Sequence, residues 1–101
     1  MKRFDAPLAI EVEIQGEKAQ ALGRTAHAFE HELERLRTFE KRVSALPLGE
    51  RARLEPEHQT LRQRASRRLW FLIVHREAMG LRRHDDLYDA YQIPRSLLPN
   101  P

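Results

Sequence analysis

Residues 8–43, LAIEVEIQGEKAQALGRTAHAFEHELERLRTFEKRV, decide the fold of this 101-residue chain. Apolar side chains recur through the stretch at alternating four- and three-residue steps, a spacing that places them on one face of an α-helix. Only Gln15 and Glu40 interrupt this row, which we call the seam. Its members are Leu8, Val12, Ala19, Leu22, Ala26, Phe29, Leu33, Leu36 and Val43. The seam predicts one amphipathic helix over about residues 6–46.

The predicted first helix has clear start signals and two weak points. Asp5 can accept bonds from free backbone N–H groups, and Pro7 suits a first helical turn. Gly16 and Gly23 each cost about 1 kcal/mol relative to alanine inside a helix. Residues 8–14 also alternate apolar and acidic side chains, as a short strand would, but no other segment could pair with such a strand. The glycines lie seven residues apart on nearly one face, which suggests close approach of another helix as readily as a break.

The rest of the chain predicts a helical hairpin with a short addition. Prolines and a glycine in residues 47–56 indicate a connection, with room for a helical turn around Glu50–Leu54. A second helix is expected over about residues 56–79, with Gly80 suited to the left-handed position after its end. A short helix over about 85–91 and a tail over 94–101 follow. The fold class is therefore all-α, one domain over residues 1–101.

The second predicted helix is apolar on two sides. Its main apolar arc consists of Leu61, Ala65, Leu69, Leu72, Ile73 and Met79. A second stripe, Trp70, Val74 and Ala78, follows at four-residue spacing on another side. A helix that is apolar nearly all round is usually buried, so we expect it at the centre of the assembly. Trp70, Phe71, Tyr88 and Tyr91 are expected to belong to the core.

The two long helices differ in predicted length, and this difference suggests association. A helix over residues 56–79 covers only the C-terminal half of the first helix after a tight turn. Either residues 81–98 fold back over the remaining half, or a second copy covers it. With one short helix available, we expect a symmetric homodimer, paired as a helical bundle. The predicted self-association residues are Leu8, Val12, Gly16, Ala19, Leu22 and Gly23.

Two patterns resemble catalytic or metal sites. His27-Ala28-Phe29-Glu30-His31 has the spacing of an inverted zincin motif, but in the seam register both histidines face away from the apolar side. His75, Glu77 and His84 supply acid and base residue types near one helix end, where caps and ion pairs explain them equally well. We therefore predict no catalytic residue, no metal site, no cofactor and no enzymatic activity.

Arg64, Arg67 and Arg68 form a possible polyanion patch on the second predicted helix. At 100° per residue they cluster opposite the main apolar arc. No nucleic-acid-binding motif accompanies them, and no aromatic side chains for base stacking are interleaved with them. We expect a solvated face that pairs with acids of the first helix, with nucleic-acid binding as the less favoured alternative.

Composition limits the remaining possibilities. The net charge is +3, and the chain contains no cysteine, which excludes disulfides and thiolate metal sites and fits a reducing cytoplasm. The longest apolar run, residues 69–74, is far shorter than the roughly 20 residues that a membrane span needs. We therefore expect a cytoplasmic protein without a membrane partner.

Three segments carry a family resemblance: EIQGEKAQALGR at residues 13–24, HREAMGLR at 75–82 and YQIP at 91–94. Together they resemble a family of small bacterial proteins known only as a domain of unknown function. The resemblance implies an all-helical fold and brings no functional residues with it. The function expected from the sequence is a self-associating structural or protein-interaction module, with accessory nucleic-acid binding as the alternative.

Overall fold

The computed structural model of the chain describes residues 9–98, with side chains from residue 16 onward. Its elements are α1 (Ala9–Ser44), α2 (Leu48–Arg53), α3 (Glu55–Ala78), α4 (Asp85–Tyr91) and a 3₁₀ turn (Arg95–Leu97). These described residues contain no strand. The predicted all-α helical hairpin with a short C-terminal helix is confirmed. Asp5, Pro7, Leu8 and the end of the tail lie outside the described residues.

Helix α1 is continuous for 36 residues and passes through Gly16 and Gly23 without a break. The strand alternative for residues 8–14 is therefore wrong from Ala9 onward. An ideal β-carbon built at either glycine meets no neighbouring atom within 4 Å. Neither glycine is thus required by a close approach within the described chain.

The turns follow the predicted proline and glycine positions. The predicted turn at about 50–54 is the six-residue helix α2, and Pro56 lies in the first turn of α3. After α3, Gly80 adopts a φ of 90°, and the N–H of Leu81 donates to the Arg76 carbonyl at 3.0 Å. This six-to-one bond closes the helix end, and only glycine adopts such a backbone without strain.

The core lies between the two long helices and extends to the C-terminal segment. The fully or nearly buried side chains are Phe29, Leu33, Leu36, Phe39, Leu61, Ala65, Leu69, Leu72, Ile73, Leu87 and Leu97. Leu22, Ala26 and Val43 pack against them with partial burial. The seam is therefore the buried face of α1 from residue 22 to residue 43. Phe39, rather than Glu40, fills the seam near its C-terminal end.

Helix α4 is held against both long helices. The Tyr91 ring meets the Phe29 ring edge-on at 5.5 Å, and its hydroxyl donates to the Glu30 carboxylate at 2.5 Å. The guanidinium of Arg37 donates to the carbonyls of Tyr91 and Gln92. A cation at a helix C-terminus is favourable because it pairs with free carbonyls. These contacts hold the end of α4 against α1, while the buried Leu97 of the 3₁₀ turn lies on α3 beside Arg67 and Trp70.

One side of α3 is only partly covered. Trp70 is 53% exposed, Val74 43% and Phe71 38%. The prediction that Trp70 and Phe71 belong to the core is wrong, whereas Tyr88 and Tyr91 pack against the core as predicted. Helices α1 and α2 and the C-terminal segment pack on other parts of α3. The second apolar stripe therefore stays partly exposed, with Trp70 beside Leu97 of the 3₁₀ turn. None of the described helices is long and apolar enough to cross a membrane.

Candidate interaction surfaces

The N-terminal part of α1 extends beyond the rest of the hairpin. Thr25 faces His75 across the hairpin, with 2.9 Å between Oγ1 and Nδ1, and α3 ends only three residues later. Residues 16–20 are all exposed. Helix α1 therefore continues from residue 20 back to Ala9 without a partner helix among the described elements, a length of about 18 Å. We call residues 9–20 the projecting end.

An apolar groove lies where the projecting end leaves the hairpin. We call it the end groove, and it has a volume of about 430 Å³. Small residues of α1 form one wall, and the end of α3 together with α4 forms the other. Its apolar lining consists of Ala19, Leu22, Gly23, Ala26, Leu72, Met79, Leu87, Ala90 and Tyr91. Three of the six predicted self-association residues, Ala19, Leu22 and Gly23, line this groove. A fourth, Gly16, lies about one helical turn before Ala19.

A polar cluster at the corner between α3 and α4 fixes the second wall of this groove. Arg76 donates from Nη2 to both carboxylate oxygens of Asp86, at 3.0 and 3.2 Å, and from Nε to Nδ1 of His84 at 3.2 Å. Because Nδ1 accepts, the proton of neutral His84 sits on Nε2, which donates to Glu77 at 3.0 Å. The hydrogen bond from Arg76 lowers the pKa of Asp86. The cluster anchors the start of α4 to the end of α3.

The corner residues are accounted for by this structural network. His75 contacts Thr25 on one side of α3, while Glu77 and His84 bond to each other within the corner. The structure therefore does not bring His75, Glu77 and His84 into one pocket.

The two histidines of the segment His27–His31 lie on the outside of α1, as their register predicts. His27 is 81% exposed, and its Nδ1 is 2.9 Å from Oε1 of Glu30. His31 is also exposed. Tyr91 holds the other oxygen of Glu30, and this hydrogen bond lowers the pKa of Glu30. Among the side chains described from residue 16 to residue 98, no three His, Asp or Glu residues are grouped closely enough to hold a metal ion.

The arginine patch differs from its sequence-based description in two ways. Within the described residues, none of Arg64, Arg67 and Arg68 forms an ion pair, so the expected pairing with acids of α1 is wrong. The guanidinium carbon of Arg67 lies 5.6 Å from the Phe71 ring centroid, and the Phe71 and Trp70 ring centroids are 5.4 Å apart. Aromatic side chains are thus adjacent to the patch, contrary to the sequence interpretation.

A second groove runs between α1 and α3 beside this patch. It has a volume of about 560 Å³ and is lined by Ala21, Arg24, Thr25, Ala28, Arg68, Phe71 and His75. The Thr25 hydroxyl donates to the Ala21 carbonyl at 3.1 Å, so it accepts from Nδ1–H of His75. Sequence reasoning missed Arg24 here, because only the hairpin register brings it to the same side as Arg68.

No protein-family model, curated protein or solved structure matches this chain. The resemblance to a bacterial domain of unknown function therefore stays a prediction.

Proposed function

We propose that this protein is a self-associating helical module in which two copies pair through the projecting end of α1. The observation that carries the proposal is that the seam continues along α1 beyond the part that α3 and α4 bury. Helix α3 buries the seam from Leu22 to Val43, while Ala19 lies on the same face and is exposed. Val12 and Leu8 continue the same spacing in the sequence. An apolar face of this length favours a partner helix.

The hairpin favours an antiparallel pair. A second copy of α1 running parallel along the projecting end would continue into the space that α3 and α4 already occupy beside Leu22 and Phe29. In an antiparallel pair, the α1 of the second copy runs past the N-terminal end of the first α1, so the rest of the second copy lies beyond that end. A two-fold axis near the middle of the projecting end therefore lets both copies use the same residues without a clash.

The two glycines of α1 support a close helix contact. Each costs about 1 kcal/mol of helix stability relative to alanine, and neither is required by packing within the described chain. Gly16 lies in the projecting end and Gly23 lines the end groove. A second helix that approaches closely would give both positions a packing role.

The end groove offers a place for the tip of the partner's α1. In an antiparallel pair, the beginning of one α1 lies beside residues 19–23 of the other. Met79, Leu87 and Ala90 then supply apolar contacts on the far side of the groove. The absence of cysteine from the sequence supports placing this module in the reducing cytoplasm.

Mass measurement in solution tests the proposal. By sedimentation equilibrium, we expect the wild-type chain to show twice its 11.9 kDa mass at micromolar concentration. Ala19→Glu and Val12→Glu should each shift the mass to 11.9 kDa, because they place a charge in the seam. Gln20→Glu is the matched control, since it adds the same charge at the exposed neighbouring position.

Leu22→Glu is a less clean test, because Leu22 also packs against the core of its own chain. A wild-type monomer at every concentration would contradict the proposal. So would a dimer that Ala19→Glu and Val12→Glu leave intact.

A further inference from the structure

The outer side of α3 carries a feature that self-association does not use. From Thr60 to Arg76 the sequence contains no acidic residue and five arginines. Arg62 is paired with Glu55 and Arg76 with Asp86. Arg64, Arg67 and Arg68 are exposed and unpaired within the described residues. The three unpaired arginines leave a concentration of positive charge on this side of the hairpin.

Arg24 of α1 extends this positive surface across the second groove. The groove lining includes Arg24, Arg68 and His75 and no acidic residue. Glu32 lies one turn after Ala28 on α1 and does not line the groove. Its Oε1 is 3.6 Å from Arg35 and has no hydrogen-bond partner within the described residues. Arg64 and Arg68 lie one turn apart on α3, and Arg24 lies across the groove on α1. Arginines spread over two helices can contact successive phosphates of a polyanion.

Two aromatic rings lie at the edge of the same surface. Trp70 is half-exposed and borders Leu97, and the Phe71 ring contacts both the indole and the guanidinium of Arg67. Exposed rings beside arginines are the arrangement that proteins use to stack unpaired bases while binding the phosphate backbone. A second copy of this chain fits the surface poorly, because it would bring arginines against arginines.

We propose that the surface formed by Arg24, Arg64, Arg67, Arg68, Trp70 and Phe71 binds single-stranded nucleic acid. The arginines contact successive phosphates, and Trp70 stacks on a base. Binding is tolerant of sequence, because every base has a face that can stack and no base-edge contact is needed. This surface spans α3 and the side of α1 that lies opposite the seam, so the inference does not rest on the proposed self-association.

Trp70 is the only tryptophan of the chain, so its fluorescence reports stacking directly. The full chain is titrated with an oligothymidylate of about 12 nucleotides, and Trp70 emission is followed together with the anisotropy of a labelled strand. We expect quenching of Trp70 and an affinity that falls as salt rises from about 50 to about 200 mM. Four arginine contacts predict a slope of about −3 in the logarithm of the binding constant against the logarithm of salt.

Two pairs of variants separate the phosphate contacts from general charge. Arg64→Ala with Arg68→Ala should reduce the steepness of the salt slope by about 1.4 and weaken binding at least tenfold. The matched control is Arg53→Ala with Lys41→Ala, which removes the same charge from exposed positions near the hairpin turn. The control should bind within about twofold of wild type.

A second comparison tests stacking. Trp70→Ala should weaken oligonucleotide binding about tenfold, and Trp70→Phe should restore most of it, because a phenyl ring also stacks. Circular dichroism checks that each variant is folded, which is expected since Trp70 is half-exposed. Inorganic polyphosphate of the same charge as the oligonucleotide should bind more weakly and should not quench Trp70.

Four results would overturn the inference. The first is no quenching and no anisotropy change at low salt, and the second is an equal loss of affinity in the test and control arginine variants. The third is that polyphosphate binds as tightly as the oligonucleotide. The fourth is binding of anionic phosphatidylserine vesicles without binding of the oligonucleotide.

Discussion

The two parts of α1 carry one apolar seam but meet different surroundings. From Leu22 to Val43 the seam packs on α3 and α4, and Phe29 is completely buried. Residues 16–20 of the projecting end are exposed, Ala19 of the seam among them. The difference comes from the length of α3 and the position of α4 rather than from α1 itself. A seam thus determines which face of a helix is favourable to bury. The other elements of the fold determine whether the same chain buries that face.

The largest contrast between the two parts should appear in core truncations. Phe29→Ala removes a fully buried ring and should lower the free energy of unfolding by about 4 kcal/mol. Val12→Ala, in the projecting end, should change it by less than about 0.5 kcal/mol at concentrations where the chain is monomeric. Urea unfolding followed by circular dichroism measures both. Equal losses would show that the projecting end is part of the monomer core.

A smaller effect is expected where α4 is attached to the covered part of α1. Tyr91→Phe removes the hydroxyl that donates to Glu30 and should cost about 1 kcal/mol at neutral pH. Tyr88→Phe is the matched control, because that hydroxyl forms no hydrogen bond with the side chains described from residue 16 onward. Urea unfolding at neutral pH should separate the two variants, and an equal loss in both would contradict this role for the Tyr91 hydroxyl.

The same bond predicts a dependence of stability on pH. The Tyr91 hydroxyl lowers the pKa of Glu30 below its ordinary 4.5, so this stabilisation is present above that value and is lost as the pH falls through the folded pKa. Burial and the Glu30 carboxylate raise the pKa of Tyr91 from 10.0 to about 12, so its contribution is lost as the pH rises between these values. Tyr91→Phe should therefore lose less stability than wild type on acidification to about pH 3. An identical acid dependence would contradict this assignment.

The smallest effects should come from the glycines and should differ in sign between folding and association. In the monomer, Gly23→Ala should stabilise the chain by up to about 1 kcal/mol, since an added β-carbon has free space. Gly16→Ala should stabilise it less, because the projecting end can fray without unfolding the core. Both variants should weaken the dimer. Unfolding at low protein concentration measures the change in monomer stability, and the dissociation constant measures the change in association. Stronger association in both would show that no helix approaches closely at these positions.

Much of the architecture follows from periodicity and from the turn residues. The seam, Pro56 and Gly80 locate α1 and α3 because helix geometry and backbone sterics act locally. The seam pattern places Glu40 near its C-terminal end, whereas Phe39 is buried there. Both lie on neighbouring sides of Leu36, three and four residues after it, so periodicity alone does not choose between them.

The surfaces of α3 could not be assigned from the sequence. Two apolar stripes satisfy the same periodicity, and only the position of the C-terminal segment shows that the stripe with Trp70 and Val74 stays exposed. Arg24 joins Arg68 through the register of the hairpin, with 44 positions separating them in the sequence. Such long-range pairings depend on packing between helices, which a local pattern does not contain.

A distance measurement between two copies tests the pairing of projecting ends most directly. Because the chain has no cysteine, Gln20→Cys, at an exposed position beside the seam, and Arg53→Cys each carry one spin label per copy. Antiparallel pairing predicts labels within about 30 Å of each other at residue 20, where the two helices lie about 8–10 Å apart. It also predicts labels more than about 80 Å apart at residue 53, near the distant hairpin turn. No short distance at residue 20, or a short distance at residue 53, would contradict the account.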